Sequence, residues 1–181
     1  MCRGPGRGGE RFQTTMGEVS GAWLSVIWRA CNFLMSLFFA LATYVQINDP
    51  DAGVWMVAYG IPAVLCACVG LTPHLTETLP WRRVADLHVL ISSAVVAMMG
   101  RRLHRETVSE IFQLEEGREF SGLVLTAGWL LLCRHSGRAP VGILRVSTAV
   151  AITVFPFVAW LYYHIHKELR SNWPSHCQNA I

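Results

Sequence analysis

The feature that most constrains this chain is a succession of apolar runs, each close to the about 20 residues a helix needs to cross hydrocarbon. Lipid offers no water to bare backbone N–H and C=O groups, so a spanning segment must satisfy its own backbone, as an α-helix does. Five runs qualify, at 23–45, 54–71, 84–100, 119–133 and 143–165, and they nearly exhaust the 181 residues. Only 15% of the chain is charged and 52% is hydrophobic, against about 25% charged in soluble domains. The expected fold class is an all-α membrane protein, a bundle of about five transmembrane helices. One membrane unit over 23–166 lies between a disordered, Gly-rich tail at 1–22 and a polar tail at 167–181. The first tail carries Arg3, Arg7 and Arg11 and lacks the apolar core and cleavage site of a signal peptide. No room remains for a separate soluble catalytic domain, so any chemistry must use residues of the helices, short loops or tails.

The net charge of +3 is small and its arginines are scattered between the runs. A nucleic-acid binder would gather them on one face, so nucleic acid is set aside as a partner. Of six cysteines, Cys31, Cys66 and Cys68 fall inside runs and read as small apolar filler. Cys133 sits near a helix end. Cys2 and Cys177 lie in tails that an odd number of spans puts on opposite sides of the membrane, where they cannot pair within one chain.

Polar residues inside the runs are few enough to weigh singly. Arg29 stands about two turns into the first run, from which its long side chain can reach back to the headgroups. Asn32, one turn on, reads as a helix-to-helix hydrogen bond ahead of a ligand contact. Pro62 with Gly60 marks a kink in the second run, and the fifth contains Pro156. Asp86 and His88 open the third run. A proton-relay pair is one reading of them; a helix start within reach of water is the other. The segment 101–119 is too charged to cross. Thr107 with Glu110 fits a capping box, which would let a helix begin there and lengthen the fourth span. That span needs the help, since 120–133 is 14 residues, or about 21 Å.

Five spans put the N-terminal tail on one side with Arg29, Arg82, Arg83, Arg134, Arg138 and Arg145, giving nine basic residues with Arg3, Arg7 and Arg11. The other side holds six, namely Arg101, Arg102, Arg105, Arg118, Lys167 and Arg170. The positive-inside rule then favours a cytoplasmic N-terminus. Independently of orientation, the first and third loops share a face. Asn48, Asp49 and Asp51 of the turn 46–51 therefore lie on the same side as Glu115, Glu116, Arg118 and Glu119, with His164 and His166 at the exit of the fifth run. Carboxylates with imidazole suit divalent metals, and paired carboxylates can share a proton. No spacing here has the force of HExxH or an EF-hand loop, so no metal or cofactor is assigned. The alternative is a turn capped by Asn and Asp beside a solvated helix start.

Trp28-Arg29-Ala30-Cys31-Asn32, the turn from Val45 to Asp51 with Trp55, Glu115-Glu116-Gly117-Arg118-Glu119 with Ser121-Gly122-Leu123, and Asn172-Trp173-Pro174-Ser175-His176-Cys177 follow one another in order. From about residue 27 onward the chain resembles the transmembrane protein 220 family. The resemblance implies a small multi-pass membrane protein and carries no activity, ligand or catalytic residue across to this sequence.

The favoured function is a non-enzymatic binding or accessory component that sits in the lipid bilayer and packs with a protein partner or a second copy. A small membrane enzyme or ligand-binding protein using the cluster around Asp49, Asp51, Glu115 and Glu119 is the alternative. A transporter or channel comes third, because the runs hold few central charges and show no internal repeat.

Overall fold

A computed structural model describes residues 8–49, 51–103, 115–135 and 142–166 of the chain. Among the described residues there are five α-helices and no strand. They are α1 (Gly8–Val45), α2 (Ala52–Leu71), α3 (Leu79–Leu103), α4 (Glu115–Arg134) and α5 (Ile143–Ile165). Four contain segments long and apolar enough to cross a membrane: Gly21–Asn48, Ala52–Leu71, Leu79–Arg101 and Ile143–Tyr162. The remaining helix, α4, has 20 residues, about 30 Å of rise. Its first five positions include Glu115, Glu116, Arg118 and Glu119, which shorten its apolar part. The upstream extension expected for the fourth span thus begins at Glu115; the proposed capping box at Thr107 and Glu110 lies outside the described residues. At the other end of the chain, α1 is already helical at Gly8, inside the stretch expected as a tail.

The bundle is two antiparallel hairpins and a fifth helix. The most extensive contact is α1 on α2, next comes α3 on α4, and α5 rests mainly on α1. A single 3-10 turn, Gln46–Asn48, closes the first hairpin, with the Asp49 N–H donating to the Gln46 carbonyl at 3.1 Å. The core is aromatic. Trp28 of α1 stacks on Trp129 of α4 at 6.1 Å between ring centroids, and Met35, Phe39, Cys66, Val69 and Leu130 are buried around them.

What joins the helices is a set of side-chain donors aimed at backbone carbonyls. The last carbonyls of any helix have no intrahelical partner, and α2 ends at Gly70 and Leu71. Arg29 of α1 donates to both, from Nε to Gly70 at 2.8 Å and from Nη2 to Leu71 at 3.3 Å. Its charge also meets the negative end of the α2 dipole. The side chain expected to reach for headgroups is therefore a cap on a neighbouring helix. Arg145, close to the start of α5, repeats the arrangement on α4 by donating to the His135 carbonyl at 2.8 Å.

Farther along α2, Pro62 removes the N–H that would have bonded the carbonyl four residues earlier, at Ala58. The helix nonetheless runs through Pro62, and His88 of α3 hydrogen-bonds the Ala58 backbone. Ser36 of α1 donates to the Ala63 carbonyl at 2.8 Å, and the Trp81 indole of α3 to the Leu65 carbonyl at 3.3 Å. Asp86 and His88 are consequently not a pair. His88 is buried at 8% exposure and faces α2. Asp86 is outside, held by Arg134 of α4 at 2.7 Å and 3.2 Å. Two positions apart on a helix, they point to different neighbours, and burial replaces the water contact expected for His88.

Two substitutions test this scheme by thermal unfolding in detergent. Arg29→Leu leaves the end of α2 uncapped and is expected to cost about 1–2 kcal/mol. His88→Leu orphans the Ala58 carbonyl and is expected to cost about 1–3 kcal/mol. Adding Pro62→Ala, which restores the missing N–H, should recover most of that second loss. Strict additivity of the two changes would show that His88 does not serve the proline gap.

Candidate functional site

The end of the bundle that carries the first loop contains a polar line running from that loop to α4. The Trp55 indole N–H donates to Asp51 Oδ2 at 2.8 Å, one turn back along the chain. Trp55 in turn stacks on Tyr59, with centroids 6.1 Å apart and planes at 22°. Both rings are buried, at 7% and 5% exposure. The Tyr59 hydroxyl is lodged against Gly122 of α4, where a Cβ would overlap it. Glu119, nearly one turn before Gly122, interacts electrostatically with Tyr59. A loop carboxylate and an α4 carboxylate thus stand at the two ends of one aromatic pair. The local reason is helical spacing: 51, 55 and 59 fall on one face of α2, as 119 and 122 do on α4.

The other expected cluster residues are distributed as follows. Asn48 is exposed at the end of the 3-10 turn, and Asp49 is half-buried beside it. Arg118 is half-buried on α4. Glu115 and Glu116 belong to the first turn of α4 in backbone, and their side chains lie outside the described residues. His164 is exposed and stacks on Trp160 of its own helix at 5.3 Å. His166 likewise turns back, its Nδ1 within 3.0 Å of the Tyr162 carbonyl. Among the described residues neither imidazole meets the carboxylates, and no three His, Cys, Asp or Glu side chains come together at metal-holding distances.

A second buried polar group lies toward the opposite end, around Asn32. Its Nδ2 donates to the Trp28 carbonyl at 2.9 Å, and its Oδ1 accepts from the Cys133 thiol of α4 at 3.3 Å. This is the helix-to-helix bond expected of Asn32, with an unexpected donor. Cys66 reaches the same region beside Trp129. Three buried polar atoms, His88 Nε2, Trp129 Nε1 and Thr153 Oγ1, have no hydrogen-bond partner among the described residues. Sequence reasoning missed the Trp28–Trp129 stack, since aromatic residues in the middle of apolar runs carry no marker of which helix they meet. The available signal was Trp28 one turn from Asn32, a polar group that needs a partner.

Chemically, the first-loop end can bind or orient a polar group through Asp51 and Glu119 on an aromatic floor. The Asn32 end is sealed and packs helices together.

Residues 38–135 match the family model described as Transmembrane family 220, helix. The chain is also 45% identical over 155 residues to Transmembrane protein 220 of Xenopus laevis, covering 86% of this chain and 84% of that protein. No solved structure matches.

Gly122→Ala, which puts a methyl group into the Tyr59 hydroxyl, is expected to cost about 1–3 kcal/mol in thermal unfolding, with Tyr59→Phe restoring part of it. An unchanged melting temperature would mean that α4 does not close on Tyr59. The family match runs from the last turns of α1 through α4 and takes in the line from Asp51 to Glu119, and with the extended similarity to the Xenopus laevis protein it makes this chain a multi-pass membrane protein of transmembrane family 220.

Proposed function

We propose that this protein is a non-enzymatic binding or accessory component of its membrane, acting through helix packing with a protein partner or a second copy. The observation that carries this reading is the use made of the described polar side chains in the spans. Arg29, Ser36, Trp81 and His88 are engaged on α2 carbonyls, and Asn32 bonds Cys133. Groups spent on holding helices together are not poised for chemistry. In addition α5 presents a shallow, open apolar groove lined by Val146, Val150, Ala151 and Val154, a surface that lipid or another helix can cover.

A second reading is favoured by one specific arrangement, the line from Asp51 through Trp55 and Tyr59 to Glu119. It makes the protein a small membrane enzyme or a ligand- or metal-binding protein, with Asn48, Asp49, Asp51, Glu115, Glu116, Arg118, Glu119 and His164 as the candidate residues. We further propose one membrane unit over 23–166 and a cytoplasmic N-terminus. In support of that orientation, Arg29, Arg82, Arg83, Arg134 and Arg145 belong to the end of the bundle that carries the second loop, and Arg101, Arg102 and Arg118 to the other.

The two functions separate in one experiment on detergent-purified protein. Wild type, Asp51→Asn and Glu119→Gln are compared for bound metal, thermal stability and oligomeric state. Packing predicts no stoichiometric metal, modest stability changes and an oligomeric state that responds to bulky substitutions on α5. Stoichiometric metal lost in both variants would establish the second reading. Labelling of a single cysteine placed in the N-terminal tail, in intact and then permeabilised cells, is expected to require permeabilisation.

A further inference from the structure

The start of α3 carries two arginines that the bundle does not use. Arg82 and Arg83 follow the buried Trp81, whose indole is fixed to α2. Arg82 is half-buried and Arg83 exposed. Asp86, one turn on, is the carboxylate that interacts with both. Yet both of its oxygens are already taken by Arg134, at 2.7 Å and 3.2 Å. Neither the Arg82 nor the Arg83 guanidinium has a hydrogen bond or ion pair among the described residues. This contrasts with Arg29, Arg134 and Arg145, each of which holds a neighbouring helix. Glu77, exposed in the 3-10 turn before α3, is the other acid nearby. Three guanidiniums against Glu77 and Asp86 leave a positive excess there.

The position of these charges along α3 sets the kind of partner. From Arg83 to Arg101 is 18 residues, about 27 Å of helix, close to the about 30 Å of a hydrocarbon core. Arginines therefore flank the apolar part of α3 at both membrane surfaces. Helical side chains lean toward the N-terminus of their own helix, which for Arg82 and Arg83 is outward, to headgroup level. Directly inward, on exposed positions of the same helix, come Leu87 at 58%, Leu90 at 68% and Ile91 at 56%. Unpaired guanidiniums above an exposed apolar stripe have the shape of a lipid-binding surface: a headgroup phosphate above, acyl chains below. A soluble anion would use only the upper half.

We propose that Arg82 and Arg83 hold the headgroup phosphate of an anionic phospholipid at the start of α3, with its acyl chains along Leu87, Leu90 and Ile91. Arg134 is excluded from that role by its bidentate bond to Asp86. Glu77 opposes it.

The test is the melting temperature of the full-length protein in detergent micelles doped with phosphatidylglycerol, with phosphatidylcholine, or given inorganic phosphate, together with retained lipid by native mass spectrometry. Phosphatidylglycerol is expected to raise the melting temperature by about 2–4 °C, phosphatidylcholine and phosphate by much less. The increment should fall by at least half in Arg82→Gln/Arg83→Gln and grow in Glu77→Gln. It should survive in Arg101→Gln at the far end of α3. Should the double variant not fold, Arg83→Gln, at an exposed position, replaces it. An increment equal in wild type and variant, or equal with phosphatidylcholine, overturns the proposal. So does one reproduced by phosphate, which would mean a free-anion site, or one lost equally in Arg101→Gln.

Discussion

A backbone carbonyl with no partner cannot be tolerated in hydrocarbon, and in this protein the carbonyls of α2 organise the rest. Three stand open, at two places along the helix, for reasons internal to it. Gly70 and Leu71 are its last residues, and Ala58 is four residues before a proline. An intramolecular hydrogen bond is worth about 1 kcal/mol net, whereas a buried group left bare costs about 1–3 kcal/mol. The penalty outweighs the gain, so each opening demands a donor from another helix. Arg29 supplies one from α1 and His88 the other from α3. Once those are in place, Ser36 and Trp81 find the Ala63 and Leu65 carbonyls along the same two seams. The kink-prone residue of α2 is thus also what locates α3 against it.

The same logic accounts for the residues that look most functional in a membrane segment. A histidine and an arginine inside apolar helices ordinarily suggest a proton path or a ligand site. Here their donors are spent on backbone. The exposed polar groups are at the two ends of the bundle, while His88 Nε2, Trp129 Nε1 and Thr153 Oγ1 are buried without a partner among the described residues. Asp51 and Glu119 flank the Trp55–Tyr59 pair where α4 closes on α2 through Gly122. At the opposite end, arginines outnumber acids. The two ends of the bundle thus differ in charge.

Several of these features were legible before any coordinates, because they follow from solvation alone. The helical state of the apolar runs and the need of Asn32 for a partner required only that lipid lacks water; four of the five runs correspond to helices long and apolar enough to cross. The expected weakness of the fourth span was also visible, in the charges at 115–119 that α4 carries in its first turns. For the cluster, spacing gave only the expectation of a shared side, and no contact between its members. His164, expected beside the carboxylates, stacks on Trp160 of its own helix.

Burial energy specifies that an apolar face must be covered and says nothing of which helix covers it, since Leu on Val gains much the same anywhere in the bundle. Composition and spacing by themselves determined a helical, multi-pass membrane protein. Directional contacts between residues far apart in sequence were decided only by the tertiary structure: Arg29 with Gly70, His88 with Ala58, Cys133 with Asn32 and Tyr59 with Gly122. Each depends on the relative depth and rotation of two helices, and no single segment contains that information.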